Sequence, residues 1–173
     1  MAQRFRGTST HKVDGKGRVS IPADFRRVLD SGDPHREPGT NASVILLFGD
    51  HRNPWFDCYT VAAMEEIDAQ IEAMDEGDED RLDLEEYFYA NSETLKIDDS
   101  GRLILSRPLR ERIGIADEAT FQARGKTFRI FSPEVPAAAT GGLRAKLDSL
   151  EPRQPITRLL PSKRRDAETA TSA

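Results

Sequence analysis

The stretch VDGKGRVSIP at residues 13–22 returns 84 positions later as IDDSGRLILS at residues 97–106. Asp14, Gly17 and Arg18 match Asp98, Gly101 and Arg102. A lysine precedes each copy (Lys12, Lys96), and Arg26 falls on Arg110. An internal repeat of this kind points to a fold built from two like halves. In the first copy, β-branched and polar residues alternate on both sides of a glycine-rich turn, which predicts strand, tight loop, strand, as a hairpin. Pro22 then suits a first helical position, with Ser20 close enough to cap, and Ile21, Phe25, Val28 and Leu29 recur at helical spacing. After the loop SGDPHREPGTN, VILLF reads as a buried strand and FDCYTV as its hairpin partner. The second copy repeats this order. LKIDDSGRLIL gives strand, turn and strand; Ser106 and Pro108 open a helix that buries Leu105, Leu109 and Ile113; and TFQARGKTFRIF turns back at Arg124, Gly125 and Lys126.

Between the copies the spacing of Met64, Ile67, Ile71 and Met74 predicts one helix, and Leu84, Tyr87 and Phe88 a second, joined at EGDED as an antiparallel helical hairpin. Beyond Ser132 periodicity fades. Leu143, Leu147 and Leu150 suggest one short helix in a segment otherwise rich in Pro, Ala and polar residues, which reads as a flexible tail. The division is therefore residues 4–60 for the first half, 61–93 for an acidic helical segment, 94–132 for the second half and 133–173 for the tail. The fold class is α+β.

The formal net charge is −5, but it is unevenly spread. Residues 1–27 hold seven bases and two acids, residues 64–93 thirteen acids and one base, and residues 94–131 eight bases and five acids. Both copies of the turn thus lie in positive segments around an acidic centre. The distribution favours a polyanionic partner where the net charge alone would not.

A turn that places glycines beside an arginine pushes a guanidinium outward. Gly17 and Gly101 permit positive φ and close approach. Arg18 and Arg102 supply planar forks suited to guanine edges or phosphate oxygens. Lys12, Lys16 and Lys96 add mobile charge for phosphate contact, and Arg6 is a weaker candidate. Asp14 and Asp98, four positions before each arginine, read as loop supports that hold the guanidinium or the loop amides. Taken alone, an Asp-x-x-x-Arg pair reads first as a turn-stabilising surface ion pair worth at most about 1 kcal/mol. Its duplication within positive segments favours binding for the arginines, while Asp14 and Asp98 remain structural. Arg124 and Lys126 fit either phosphate contact or ordinary turn chemistry.

Other chemistry finds no support. DGKGR lacks the phosphate-loop pattern, and the three histidines lack metal-ligand spacing. DEGDED lacks the spacing of a calcium loop, and the single Cys58 allows no internal disulfide. No catalytic residue, metal site or cofactor is expected. The longest apolar run, VILLF, is far too short to span a bilayer, and the amino end has no secretory pattern, so the expected setting is cytoplasmic, without a membrane partner.

The opening Phe5-Arg6-Gly7, then DGKGRVSIP, and the second Asp-x-x-Gly-Arg-Leu resemble the MraZ family of bacterial transcriptional regulators over about residues 5–132. The resemblance implies two AbrB-like swapped-hairpin, β-barrel-type halves forming a pseudo-dimer within one chain. It also implies subunits closed into a homo-oligomeric ring. The implied partner is double-stranded DNA, bound at short tandem repeats in the promoter of the division and cell-wall gene cluster, which would place the protein at the nucleoid. The family motif falls on Asp14 and Arg18, with Lys16 and Gly17 between them, and again on Asp98 and Arg102. Asp99 and Ser100 stand where the first copy has Gly15 and Lys16, so the second turn is less basic. Three rival readings remain: an antitoxin of the same fold, a ring-forming scaffold that does not bind DNA, and, last, an enzyme using Asp14 or Asp98. The antitoxin reading wants an acidic or amphipathic tail, whereas this one carries Arg153, Arg158, Lys163, Arg164 and Arg165.

Overall fold

The computed structural model describes residues 3–161. Lys163, Arg164 and Arg165, noted above for their charge, lie outside the described residues. The residues up to Val135 form one compact unit, and those from Pro136 a second.

The first unit follows the order of the repeat. Strands β1 (Thr8–Lys12) and β2 (Arg18–Ser20) precede helix α1 (Ala23–Ser31), then β3 (Ser43–Leu47) and β4 (Trp55–Tyr59). Helices α2 (Val61–Glu72) and α3 (Glu79–Glu85) follow, the latter running into a π-helical turn at Glu86–Ala90. The second copy supplies β5 (Ser92–Lys96), β6 (Arg102–Ile104), α4 (Arg107–Arg112), β7 (Glu118–Ala123) and β8 (Thr127–Phe131). The two hairpins expected from the sequence, β3–β4 and β7–β8, both form.

The pairing of the remaining strands is an exchange between the copies. β1 pairs with β7 and β5 with β3, while β4 and β8 pair with each other, so one antiparallel sheet runs β1-β7-β8-β4-β3-β5. Replacing every strand by its counterpart in the other copy reverses that order and leaves it unchanged. The expected β1–β2 hairpin survives only at its tip, as a bridge between Val13 and Val19. Beyond it β2 turns to β6, because a three-residue strand with a single apolar side chain gains most by setting that side chain beside its equivalent: Val19 faces Leu103 and both are buried.

The sheet is open. β1 and β5 are its ends, and no closed barrel forms among the described residues, which corrects the barrel-type halves implied by the resemblance. β2 and β6 pair with one another as a separate ribbon and so do not join the sheet edges together.

One core serves both copies. Phe5, Phe25, Phe121 and Phe128 meet at centroid separations of 4.9–6.4 Å, mostly edge-on or tilted, an arrangement favoured by the ring quadrupole. Val19, Ile21, Leu103, Leu105 and Leu109 close this core from the ribbon and short helices, and Val44, Leu46 and Phe56 from the sheet. Each such side chain stabilises the fold by about 1.5–3 kcal/mol when fully buried. β3 is apolar on its other face too, where α2 packs against it and Met64 and Ile71 are buried. That explains the unbroken run VILLF. Ser20 does not cap α1: Pro22 occupies the cap position and no side-chain bond is made there. Thr60, by contrast, caps α2 by accepting from the Ala63 amide at 3.1 Å.

The second unit contains two short helices, α5 (Ala137–Thr140) and α6 (Leu143–Asp148), and a 3₁₀ turn at Ile156–Leu159. Leu143, Leu147, Leu159 and Leu160 are exposed on it.

Candidate nucleic-acid interface

The two Asp-x-x-Gly-Arg turns have the same internal bonding. In the first, the Gly17 amide donates to the Asp14 carbonyl at 2.9 Å and the Asp14 amide to the Arg18 carbonyl at 3.1 Å. Asp14 Oδ1 accepts from the amides of Lys16 and Arg18, both at 2.9 Å, and Oδ2 accepts from Arg18 Nε at 2.5 Å. In the second, the corresponding amide bonds of Gly101 and Asp98 are both 2.9 Å. Asp98 accepts from the amides of Ser100 and Arg102 at 2.9 Å and from Arg102 Nε at 3.1 Å. Both carboxyls are held below the usual carboxylate range, first by the backbone bond from the arginine; burial opposes this, and the arginine side chain adds to the lowering. The aspartates are therefore fixed parts of the turns. Because each arginine is gripped through Nε, its two terminal nitrogens are left at the outer end of the fork, with the side chains about one-third exposed.

Gly17 and Gly101 take φ of +81° and +75°, which closes each turn in a conformation costly for any residue with a Cβ. Each turn is also fastened to the opposite copy. The Leu105 amide donates to the Gly17 carbonyl at 2.8 Å, and the Ile21 amide to the Gly101 carbonyl at 3.0 Å.

The ribbon between the turns sets their spacing. Arg18 stands opposite Ile104 and Ser20 opposite Arg102. Opposed residues of an antiparallel pair share a face, so Arg18, Ser20, Arg102 and Ile104 line one side while Val19 and Leu103 are buried on the other. That register puts Arg18 and Arg102 on a diagonal, their backbones about 7–8 Å apart. Lys12 and Lys96 end β1 and β5, and Lys16 lies within the first turn; all three are exposed. Arg6 is not brought to this surface. It sits beside the Phe5–Gly125 bridge, at the opposite end of β1 from the turn, a strand length of roughly 20 Å away. Lys126 of the β7–β8 turn pairs with Glu66 at 3.4 Å.

Four contributors escaped the sequence reading. Ile104 is an apolar side chain 53% exposed on the outer face, and nothing in the period-two pattern marks it off from a core residue. Asn41 Nδ2 donates to the Asp98 carbonyl at 2.6 Å, reaching the second turn from the long loop after α1. Arg26 and Arg110 lie against the turns; their match in the repeat was the available signal. Among the described residues no cluster suited to a metal ion occurs, and no helix is long and apolar enough to cross a membrane.

Residues 4–33, which include the first turn, match the family model described as "MraZ protein", whose description also draws a likeness to antitoxins. The chain is 49% identical over 133 residues to a protein of Ruegeria pomeroyi named Transcriptional regulator MraZ, covering 77% of this chain and 80% of that one. The chain belongs to the MraZ family. Other MraZ relatives extend the match: a protein of the same name from Ruegeria sp. strain TM1040 is 48% identical over 134 residues, covering 78% of this chain and 80% of its own. One from Gluconobacter oxydans is 35% identical over 146 residues, covering 84% and 86%.

Proposed function

We propose that this chain is a sequence-specific DNA-binding transcriptional regulator, a repressor acting on tandem repeats in the promoter of the division and cell-wall gene cluster. The observation that carries the reading is the pair of identically bonded turns, set side by side by the β2–β6 ribbon with Arg18 and Arg102 on one outer face. In it, Arg18 and Arg102 read base edges or clamp phosphates, and Lys12, Lys16 and Lys96 contact the backbone. Arg6 contributes least, given its distance along β1. Asp14, Gly17, Asp98 and Gly101 hold the turns in shape. The strand exchange between residues 4–60 and 94–132 supports reading the chain as a swapped-hairpin pseudo-dimer, two turns making one reading unit.

A closed ring of such units presents turns at regular spacing and suits direct repeats, since weak single contacts gain strength from effective concentration. The setting is the cytoplasm, at the nucleoid. The relatives' name, Transcriptional regulator, agrees with this reading.

Fluorescence anisotropy of a labelled promoter duplex across a salt series tests it. Tight, salt-sensitive binding is expected, weakened by about 1–3 kcal/mol in Arg18→Ala and in Arg102→Ala with subunit assembly unchanged. Binding no better than to random duplex, or indifferent to both substitutions, would sink the assignment and leave a ring-forming scaffold. An antitoxin would bind both the duplex and a second protein.

A further inference from the structure

Arg26 on α1 and Arg110 on α4 occupy equivalent places in the two copies, and each reaches the turn of the other copy. A Cβ built on Gly101 would fall 2.5 Å from Arg26 Nη1 and 2.8 Å from its Cζ; one built on Gly17 would fall 3.4 Å from the Cζ of Arg110. Between residues 14 and 112 every other arginine side chain has an acidic group or a carbonyl oxygen as partner. Arg26 and Arg110 make no side-chain hydrogen bond or ion pair among the described residues, and Arg26 Nε is buried with no acceptor. A guanidinium stays charged at any ordinary pH and carries five donors. Two of them held half-buried, with no acidic partner, at the same place in both copies leave their terminal nitrogens for an anion supplied from outside, the buried Arg26 Nε being out of its reach.

Local charge shows what each arginine does for the turn it meets. Asp14 offsets Arg18, and Lys16 leaves the first turn positive; Asp98 and Asp99 outweigh Arg102, and the second turn is negative. Arg26 lies against the negative turn and restores its balance, so the half with the weaker basic sequence borrows a cation from the other half.

We propose that Arg26 and Arg110 bind DNA backbone phosphates in trans between the copies, each completing the turn of the opposite copy. The inference rests on the DNA-reading assignment of the turns. It separates labour within each site: the Asp-held arginine is directed at the ligand by its carboxylate, while the second arginine, with no side-chain hydrogen bond or ion pair among the described residues, keeps its terminal donors for a phosphate. Arg26 carries the larger share, because its turn has no lysine of its own.

The test is the salt dependence of duplex binding by the full chain, comparing wild type with Arg26→Gln and Arg110→Gln on promoter and random duplexes. Each lost phosphate contact is expected to reduce the slope of log K against log salt by about 0.9 and to weaken binding about eight-fold at 0.1 M salt relative to 1 M, equally on both sequences. A wild-type slope near zero would overturn the DNA assignment itself. A steep wild-type slope, unchanged in both folded variants, would overturn only the phosphate role of these arginines. A second arm does not depend on those variants folding: ¹⁵N-edited spectra of arginine Nε–H groups in the wild-type protein, with and without duplex. Shifts of the Arg26 and Arg110 signals support the proposal; stationary signals there, while those of Arg18 and Arg102 move, overturn it.

Discussion

Leu105 lies directly against Gly17: its amide donates to the Gly17 carbonyl at 2.8 Å, and a Cβ at position 17 would fall 2.1 Å from the Leu105 carbonyl oxygen. A Cβ built on the equivalent glycine, Gly101, would meet instead the guanidinium of Arg26, 2.5 Å from its Nη1. The two turns share one internal geometry and differ in what closes over them, and that difference separates two otherwise parallel substitutions.

Gly17→Ala is expected to cost about 2–5 kcal/mol, the sum of a positive-φ penalty and a clash with backbone that belongs to the other copy and cannot yield. Gly101→Ala meets the same φ penalty, but its clash is with a long side chain that can swing away, so about 1–2 kcal/mol is expected. Urea denaturation of the two variants checks this. Equal losses would show that the Leu105 backbone moves as easily as the Arg26 side chain.

Asp14 and Asp98 give the turns a defined response to acid. Their folded values are depressed, chiefly by the backbone bonds from Arg18 and Arg102, so their stabilisation is fully present above the ordinary value of 3.8 and is lost as pH falls through the lower folded value. From about pH 5 upward these groups contribute no pH dependence. Asp14→Asn keeps an oxygen for the two loop amides but turns an N–H₂ toward Arg18 Nε, donor facing donor. Asp14→Ala loses all three bonds. The expected order of amide-exchange protection at Gly17 and Arg18 is wild type, then Asn, then Ala. A variant order with Ala above Asn would mean that the amide bonds matter less than the grip on the guanidinium.

The repeat was the most informative feature of the chain, and it was informative about different things to different degrees. The β7–β8 hairpin could be read locally because a three-residue turn and the alternation on either side of it set the register, and β3–β4 because a buried apolar run is followed across residues 48–54 by a second strand pattern. The exchange of β1 to β7, β5 to β3 and β2 to β6 could not. A strand of three to five residues carries no mark of its partner, and Val19 alternates equally well in a local hairpin or beside Leu103. The turn chemistry of Asp14, Gly17 and Arg18 was legible because every bond in it lies within five residues. Asn41 reaches Asp98 across 57 positions, and Arg26 meets Gly101 across 75, so neither contact leaves a local pattern.

The acidic α2 carries a cost that a single atom exposes. Asp68 Oδ1 is buried without a partner, and the carboxyl is pushed above its ordinary value by burial first and then by the charges of Glu72 and Glu65, with only Tyr89 acting in the other direction. A raised folded value means that Asp68 favours the folded state fully only below the ordinary value near 3.8, and that this is lost as pH rises through the folded value. Asp68→Asn removes the charge and keeps an acceptor for the Tyr89 hydroxyl. It is expected to stabilise the protein at pH 7 by about 0.2–0.5 kcal/mol for each like-charged neighbour relieved, with the gain shrinking in high salt and vanishing in acid. Thermal melts of both proteins across pH and salt check the sign. A variant less stable than wild type at pH 7 would mean that the charged carboxylate does more for α2 than its burial and its neighbours cost.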